Sequence, residues 1–211
     1  MEAQFFGANC IRISTKKAQL IVDDNLTQLG KKPVTRQDDI ALFTMNNNGH
    51  GSPVENLKLS VDQPGEFEVS GISLKGIAAR AHMDEPKQTN VTMFKIIADD
   101  INVLVTGHIH PDLEDSQLEE IGRVDVLFIP VGGNGYTLDS IGALKVIKKI
   151  EPKLVIPTHY EEKGLNYEVP QQPLEQALKN LPMDAKETVG KLKIKPSELP
   201  ETTQLVIVES K

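Results

Sequence analysis

Five histidines are the residues whose type and placement most directly predict chemistry in this sequence: His50, His82, His108, His110 and His159. Each follows a segment whose apolar pattern predicts a β-strand. Loops at strand ends commonly carry functional sites, and neutral imidazole is the commonest metal ligand near physiological pH. Any one of these histidines alone is better interpreted as an ordinary exposed or hydrogen-bonded loop residue. The set of five predicts that several converge on a metal ion.

The segment His108-Ile109-His110 sharpens this prediction. Side chains two residues apart on an extended segment point to the same side of the chain, so both imidazoles could face one site. His110 is nevertheless interpreted first as a solvent-facing loop residue, with a role as a fourth ligand kept as the alternative.

The elements that must position the histidines change in character along the chain. Alternating apolar residues predict mainly antiparallel strands up to residue 105, and helices alternate with buried strands after it. The predicted strands are 10–14, 18–23, 40–44, 57–61, 67–69, 72–77, 91–96, 101–105, 124–130, 154–157 and 205–208, and the predicted helices are 115–121, 140–150 and 174–181. This order predicts an α/β fold in which two sheets pack face to face with helices outside, as one domain of residues 1–211.

Composition narrows the class of partner and the compartment. The 211 residues carry a net charge of −7, which disfavours sequence-independent binding to duplex nucleic acid. The single cysteine, Cys10, cannot form an internal disulfide and favours a reducing, cytoplasmic location. The sequence shows neither a signal peptide nor the ~18 consecutive apolar residues of a membrane span, so no membrane partner is expected.

Several stretches resemble the metallo-β-lactamase superfamily, in the branch similar to L-ascorbate-6-phosphate lactonase and small zinc-dependent hydrolases. The most specific is Pro-Lys-Leu-Val-Ile-Pro-Thr-His-Tyr at 152–160, and the others lie at 19–23, 64–69, 119–127 and 129–133. The resemblance covers nearly the whole chain. It implies an αββα sandwich with one or two metal ions at one edge, between the sheets.

The family's H-x-H-x-D-H signature is degenerate in this sequence. Met45, Asn47 and Gly49 stand where the family has its first two histidines and its aspartate, and only His50 remains. Methionine and asparagine are weak ligands for Zn²⁺. The resemblance therefore implies that one of the two family metal sites has lost its affinity.

The other ligand positions of the family are better preserved. His82 and His159 match two of its histidine ligands, whereas His108 stands where the family has a bridging aspartate. Three neutral imidazoles plus water form a known catalytic zinc arrangement. We therefore expect at most one metal ion, held by His50, His108 and His159, with His82 or His110 as a fourth ligand. Zinc is the favoured metal, Mn or Fe the alternatives, and a vestigial site would hold none.

The resemblance also implies supporting residues. Asp23 matches an aspartate that braces the metal loops, although an ordinary turn aspartate at a strand end is equally plausible. The glycine-rich segment 132–137 matches a loop that borders the substrate cleft, and a simple strand-to-helix connection is the stronger interpretation of it. The expected cleft residues are Asn47, Asn48, Gly133, Asn134 and Tyr136.

Two functions remain open at this point. The first is a metal-dependent hydrolase, at most mononuclear, that acts on a phosphoester, lactone or similar ester of a small molecule. The second is a degenerate, catalytically inactive relative that binds a small ligand or a protein partner. The surviving histidines favour the first function and the lost H-x-H-x-D ligands favour the second, while a homo-oligomer is compatible with both.

Overall fold

The computed structural model describes residues 1–45 and 54–211, and their strands form two mixed sheets packed face to face. In chain order the strands are β1 (Glu2–Gly7), β2 (Cys10–Ser14), β3 (Gln19–Val22), β4 (Ile40–Leu42), β5 (Leu59–Val61), β6 (Gly65–Val69), β7 (Ile72–Ala79), β8 (Val91–Ala98), β9 (Ile101–Val105), β10 (Val126–Pro130), β11 (Leu154–Thr158), β12 (Ala185–Val189), β13 (Leu192–Lys193) and β14 (Gln204–Val208).

Each sheet has one half made of parallel strands and one half made of antiparallel strands. One sheet has the order β13-β1-β2-β3-β4-β5, with β3, β4 and β5 parallel to one another. The other has the order β12-β14-β11-β10-β9-β8-β7-β6, antiparallel from β6 to β9 and parallel from β9 through to β12. Carboxyl ends of neighbouring parallel strands lie at one edge of a sheet, so the loops that follow them meet there.

One large apolar cluster fills the space between the sheets. Phe5, Phe94 and Phe128 are its largest fully buried side chains. β10 and β11 are buried along their whole length, as expected of parallel strands that are covered on both faces. A smaller cluster, made of Phe6, Ala8, Cys10, Ile21, Leu26 and Leu165, covers the other face of the six-stranded sheet.

The helices all come late in the described chain. They are α1 (Asp115–Ile121), α2 (Ser140–Ile150) and α3 (Leu174–Leu178). The predicted bounds of α1 and α2 are confirmed, and both helices have capping residues at their N-termini. Glu114 and Gln117 form a capping box on α1, and the Asp139 side chain accepts a hydrogen bond from Gly142 N at 2.7 Å on α2.

Most predicted strands differ from the observed ones by one or two residues at an end, the third helix is shorter, and β1, β12 and β13 were not predicted. The third helix ends at Leu178 rather than at residue 181. β4 stops at Leu42 because the backbone and hydroxyl of Thr44 turn to donate hydrogen bonds to Asp23. β12 was not predicted, since its sequence Ala-Lys-Glu-Thr-Val is largely exposed and lacks a clear apolar face.

Candidate metal and substrate site

The candidate site lies beyond the carboxyl ends of β9, β10 and β11. These strands are parallel neighbours, and they are followed respectively by the segments 106–110, 131–137 and 159–160. The local sequence explains the placement, because each strand is a run of buried apolar residues that stops at glycine, threonine or histidine. The side chains that end each run are therefore held at one edge of the sheet.

His108 and His159 form the centre of the site. Their ring centroids are 4.7 Å apart in an edge-to-face arrangement, and both side chains are buried, at 6% and 3% exposure. Burial lowers the pKa of His159 to about 4. Burial, then the neighbouring His159 and His82, hold the pKa of His108 well below its usual range. Both imidazoles are therefore neutral at pH 7, which is the state that binds metal ions.

Side chains remote in sequence orient these two rings. Gln171 Oε1 lies 3.2 Å from Nδ1 of His159, so that Nδ1 is engaged by a hydrogen-bond acceptor. The Asn9 amide lies 3.4 Å from Nδ1 of His108, and its Oδ1 accepts a 2.9 Å hydrogen bond from the hydroxyl of Thr158. Nε2 of His108 is buried and has no partner among residues 1–45 and 54–211. Because the Asn9 amide nitrogen can only donate, Nδ1 of His108 accepts and the proton of the neutral ring lies on Nε2, so Nε2 becomes a metal ligand only if the Asn9 amide turns away.

His82 and His110 are joined to the site through the backbone. The segment 80–82 pairs with 108–110, through hydrogen bonds from His82 N to His108 O and from His110 N to Arg80 O, each 2.8 Å long. The rings of His82 and His110 stack at 6.2 Å. Nδ1 of His82 is buried and unpartnered within the described chain. Nδ1 of His110, in contrast, accepts a 3.2 Å hydrogen bond from Asp112 N, so His82 is the better fourth donor.

Asp23 connects the six-stranded sheet to the site. Its carboxylate accepts hydrogen bonds from Thr44 N at 2.7 Å and from Thr44 Oγ1 at 2.6 Å. Burial raises the pKa of Asp23 to about 6, and the bonds from Thr44 oppose this rise. Thr44 in turn packs on Gly107, where a Cβ would lie 2.3 Å from Thr44 Oγ1. Asp23 therefore fixes the start of the segment 45–53 beside the residue that precedes His108.

The glycine-rich loop after β10 contributes the ring of Tyr136 to the site and brings its backbone close to that of His159. Tyr136 contacts both central histidines, with centroids 4.9 Å from His108 and 5.8 Å from His159. A Cβ on Gly132 would lie 2.1 Å from His159 O and 2.3 Å from Gln171 Oε1, so only glycine fits there. Gly133 is buried, whereas Asn134 is exposed and its side chain bonds Pro170 O. Only Tyr136 of these cleft residues contacts the histidine pair.

Three supporting residues were missed at the sequence level: Asn9, Gln171 and Tyr167. The Tyr167 ring lies 5.3 Å from that of His159, and its hydroxyl donates to Tyr160 O at 2.9 Å. Asn9 lies in the tight turn between β1 and β2, and the other two lie in the loop after β11. Their sequence carries no signal beyond that of polar loop residues, because chain folding alone brings them to the histidines.

The candidate residues Asn47, Asn48 and His50 lie outside the described residues. Within 1–45 and 54–211, no group of three His, Cys, Asp or Glu side chains is arranged to hold a metal ion. The described part therefore offers a neutral imidazole pair with His82 beside it, and a complete ligand set needs a donor from the segment 46–53.

Comparison with known families decides the evolutionary relationship. The sequence model of the beta-lactamase superfamily domain matches residues 2–159, which is most of the chain. The chain belongs to the beta-lactamase superfamily. The resemblance noted in the sequence is thereby confirmed at the level of the superfamily, while the L-ascorbate-6-phosphate lactonase branch is not confirmed.

Solved structures of this superfamily share the fold. A candidate zinc-dependent hydrolase of the metallo-beta-lactamase superfamily from Thermotoga maritima is 25% identical, with a TM-score of 0.78 and 99% of each chain covered. A candidate metal-dependent hydrolase from Parabacteroides distasonis is 14% identical, with a TM-score of 0.66 over 99% of this chain and 93% of that one. The predicted sandwich of two mixed sheets is confirmed.

Curated relatives match over shorter segments. A protein of Carboxydothermus hydrogenoformans named UPF0173 metal-dependent hydrolase is 49% identical over 43 residues, 20% of this chain and 19% of its own length. A protein of the same name from Archaeoglobus fulgidus is 34% identical over 67 residues, 32% of this chain and 29% of its own. The chain thus matches less than a third of the length of each relative. No helix in the described part of the chain is long and apolar enough to cross a bilayer.

Proposed function

We propose that this protein is a metal-dependent hydrolase with at most one metal ion, centred on His108 and His159. The observation that carries the proposal is the buried pair itself: two neutral imidazoles 4.7 Å apart, with Nε2 of His108 left without a partner in the described chain. Membership of the superfamily and the names of the curated relatives support the same activity.

The donor set fits a single borderline metal ion and does not fit two. Imidazoles suit zinc, and also iron, better than magnesium or calcium. His108, His159 and His50 would hold the ion, with His82 as fourth ligand and His110 as the alternative. Zinc is the proposed metal, with Mn or Fe as the alternatives. When bound, such an ion polarises the scissile bond and lowers the pKa of a bound water to ~7.

The protein's own residues prepare the site for this chemistry. Gln171 engages Nδ1 of His159, so the opposite ring nitrogen is the one available to a ligand. Asn9, held by Thr158, orients the His108 ring from the opposite direction, because its amide nitrogen donates to Nδ1, and it would have to turn for Nε2 to bind a metal ion. Tyr136 lies against both rings and excludes water from that side. With the hydrogen bonds from Thr44 to Asp23, these contacts fix the site before a substrate arrives.

The proposed substrate is a small molecule with a phosphoester, lactone or similar ester bond. Duplex nucleic acid and membranes are not proposed partners, because the chain carries a net charge of −7 and no bilayer-spanning helix in its described part. A cytoplasmic location is proposed from the single cysteine, Cys10, which is buried and unpaired.

The alternative function is a degenerate relative that binds a small ligand without turnover. The absence of any three-residue ligand group among the described residues favours it. Met45, where the family has a histidine, favours it as well. This alternative predicts that the same pocket binds its ligand equally well with and without a metal ion.

Hydrolysis after metal reconstitution tests the proposal. Chelator-treated protein is incubated with one equivalent of Zn²⁺, Mn²⁺ or Fe²⁺ and assayed with bis-p-nitrophenyl phosphate, p-nitrophenyl acetate and a γ-lactone. The proposal predicts turnover of at least one of these with one of the metals, and its loss in His159→Ala. Turnover that persists in the metal-free protein, or no turnover with any metal, contradicts the proposal.

A further inference from the structure

A small cavity opens beside His159. Its volume is about 130 Å³, and its walls include Tyr136, His159 and Gln171 of the candidate site together with Asn25 and Glu168. The cavity therefore borders the histidine pair, because its wall includes His159 itself and the Tyr136 ring that contacts both histidines. A group that occupies it is in contact with the site itself.

Three of the polar side chains in the walls, Tyr167, Gln171 and His159, already have partners within the protein. Tyr167 donates its hydroxyl hydrogen to Tyr160 O at 2.9 Å and accepts a hydrogen bond from Ala8 N at 3.2 Å. Gln171 contacts His159 with its oxygen and Val169 O with its nitrogen. These side chains shape the cavity, but they have little capacity left for a ligand.

Other polar side chains of the walls are free to bind a ligand. The side-chain amides of Gln28 and Asn166 have no hydrogen-bond partner among the described residues. Glu168 is exposed and forms no ion pair with any residue in 1–45 or 54–211. The cavity therefore offers neutral amides and one unpaired carboxylate to a ligand.

The charge of the cavity has one sign. Among the described residues that line the cavity, Glu168 is the only acidic side chain, and none is a lysine or arginine. A phosphate or carboxylate placed here would meet Glu168 without a compensating cation, whereas an ammonium group would be attracted.

The size of the cavity limits the group further. At ~30 Å³ for each water of the liquid, 130 Å³ corresponds to about four water molecules. A two-carbon ammonium group fits in this volume.

We propose that this cavity is a subsite for a small ammonium-bearing group, held by Glu168. The further statement that this group is part of the substrate rests on the proposed function. It narrows the substrate class to esters or lactones with a primary ammonium a few bonds from the scissile carbonyl, and it disfavours a phosphate at this end of the site.

Binding of three probes of similar size tests the subsite without any need for turnover. Protonated ethanolamine, neutral ethylene glycol and anionic 2-hydroxyethanesulfonate are titrated at pH 7 and constant ionic strength, and binding is followed by backbone amide NMR shifts. We expect ethanolamine alone to shift the amides of residues 136, 167–169 and 171, with a dissociation constant in the millimolar range.

Two matched charge variants complete the test. Glu168→Gln keeps the shape of the side chain and should weaken ethanolamine binding about three- to fivefold, as expected for a partly exposed charge pair. Glu201→Gln makes the same charge change at an exposed position outside the cavity and should leave the binding unchanged. Equal or tighter binding of either other probe, no shift at these amides, or equal ethanolamine binding in Glu168→Gln would overturn the proposal.

The outcomes also separate this inference from the proposed function. Ethanolamine binding in a protein that hydrolyses no ester leaves the subsite standing and removes the hydrolase. Ester hydrolysis in a protein without preference for ethanolamine supports the hydrolase and removes the subsite.

Discussion

Two side chains from opposite ends of the sequence hold the two buried imidazoles of the site. Gln171 contacts Nδ1 of His159, and Asn9 contacts Nδ1 of His108. In metal sites such partners fix the ring orientation, and their loss commonly lowers metal affinity 10- to 100-fold. Removal of the Gln171 contact should therefore weaken metal binding.

Gln171→Met should lower zinc affinity about tenfold while His159 stays in place. Methionine preserves volume and removes the acceptor that faces Nδ1. The measurement is competition for Zn²⁺ with a chromophoric chelator, and Gln176→Met, at an exposed position of α3, is the matched control. Equal affinities in the two variants would show that the Gln171 contact does not position the ring.

His108 should discriminate between an active and a vestigial site. An imidazole offers one lone pair and serves one metal, unlike a carboxylate, which can bridge two. His108→Ala should abolish tight metal binding, and His108→Asp should weaken it or shift the metal preference towards harder ions. Thermal stability with and without Zn²⁺ reports both effects, since a hundredfold ligand excess adds ~2.7 kcal/mol to a binding protein. An identical Zn²⁺-induced shift in all three proteins would exclude His108 as a ligand.

Asp23 should make folding less favourable as the pH rises. Its pKa in the folded protein is raised from 3.8 to about 6, so the stability it contributes is complete below pH 4 and is lost as the pH rises through 6. The free energy of unfolding of the wild type, relative to Asp23→Asn, should fall by up to about 3 kcal/mol between pH 4 and pH 7. Urea unfolding across this range measures it, with exposed Asp184→Asn as control. Parallel pH profiles for wild type and Asp23→Asn would contradict the buried-carboxylate interpretation.

The sequence was informative about the candidate ligands and silent about the residues that orient them. Histidine is recognisable by type, and its position after an apolar run predicts its place at a strand end, which His82, His108 and His159 confirm. Asn9 and Gln171 are ordinary polar loop residues in sequence, and they reach the histidines only because distant segments close on each other. His50 lies outside the described residues and stays a prediction.

At the scale of elements, glycines allow the loops to approach each other. Gly132 adopts no left-handed backbone, yet a Cβ there would lie 2.1 Å from the carbonyl oxygen of His159. The end of β10 and the residue after β11 can therefore pack backbone to backbone. This close approach holds the glycine-rich loop against the histidine pair.

Gly132→Ala should destabilise the protein by about 2–3 kcal/mol and displace His159, because the clash involves backbone rather than a flexible side chain. Gly190→Ala is the matched control, since a Cβ at Gly190 meets nothing within 4 Å and its backbone is not left-handed. Its effect should stay within about 0.5 kcal/mol. Chemical denaturation measures the free energy of unfolding of both variants. A Gly132→Ala protein as stable as the control would contradict the close contact between the backbones of Gly132 and His159.

Elements were predictable where local signals agreed with the fold. α1 and α2 have capping residues, α2 has a clear apolar stripe, and the bounds of both were predicted correctly. β10 and β11 are continuous apolar runs, as parallel buried strands require. β12 and β13 are short, lie at the sheet edges and are partly exposed, so no periodic pattern marks them. Their pairing is decided by the rest of the sheet rather than by their own sequence.

At the scale of the whole molecule, the two sheets each contribute one side of the site. The eight-stranded sheet supplies His108, Tyr136 and His159 after its parallel strands, and the six-stranded sheet supplies Asn9 and the Asp23–Thr44 brace. The face-to-face packing of the sheets is therefore what assembles the site. The superfamily resemblance predicted this arrangement, whereas strand periodicity alone predicted only the two layers.

The metal content of protein purified without an affinity tag tests the central claim most directly. Elemental analysis should find close to one equivalent of zinc, or of manganese or iron, per chain in the wild type, and none in His159→Ala. One equivalent is expected because the surviving histidines can complete one site, while Met45 occupies a ligand position of the other. Two equivalents would mean that the ligands are misassigned, and no metal in the wild type, even after incubation with Zn²⁺, Mn²⁺ or Fe²⁺, would contradict the metal-dependent hydrolase.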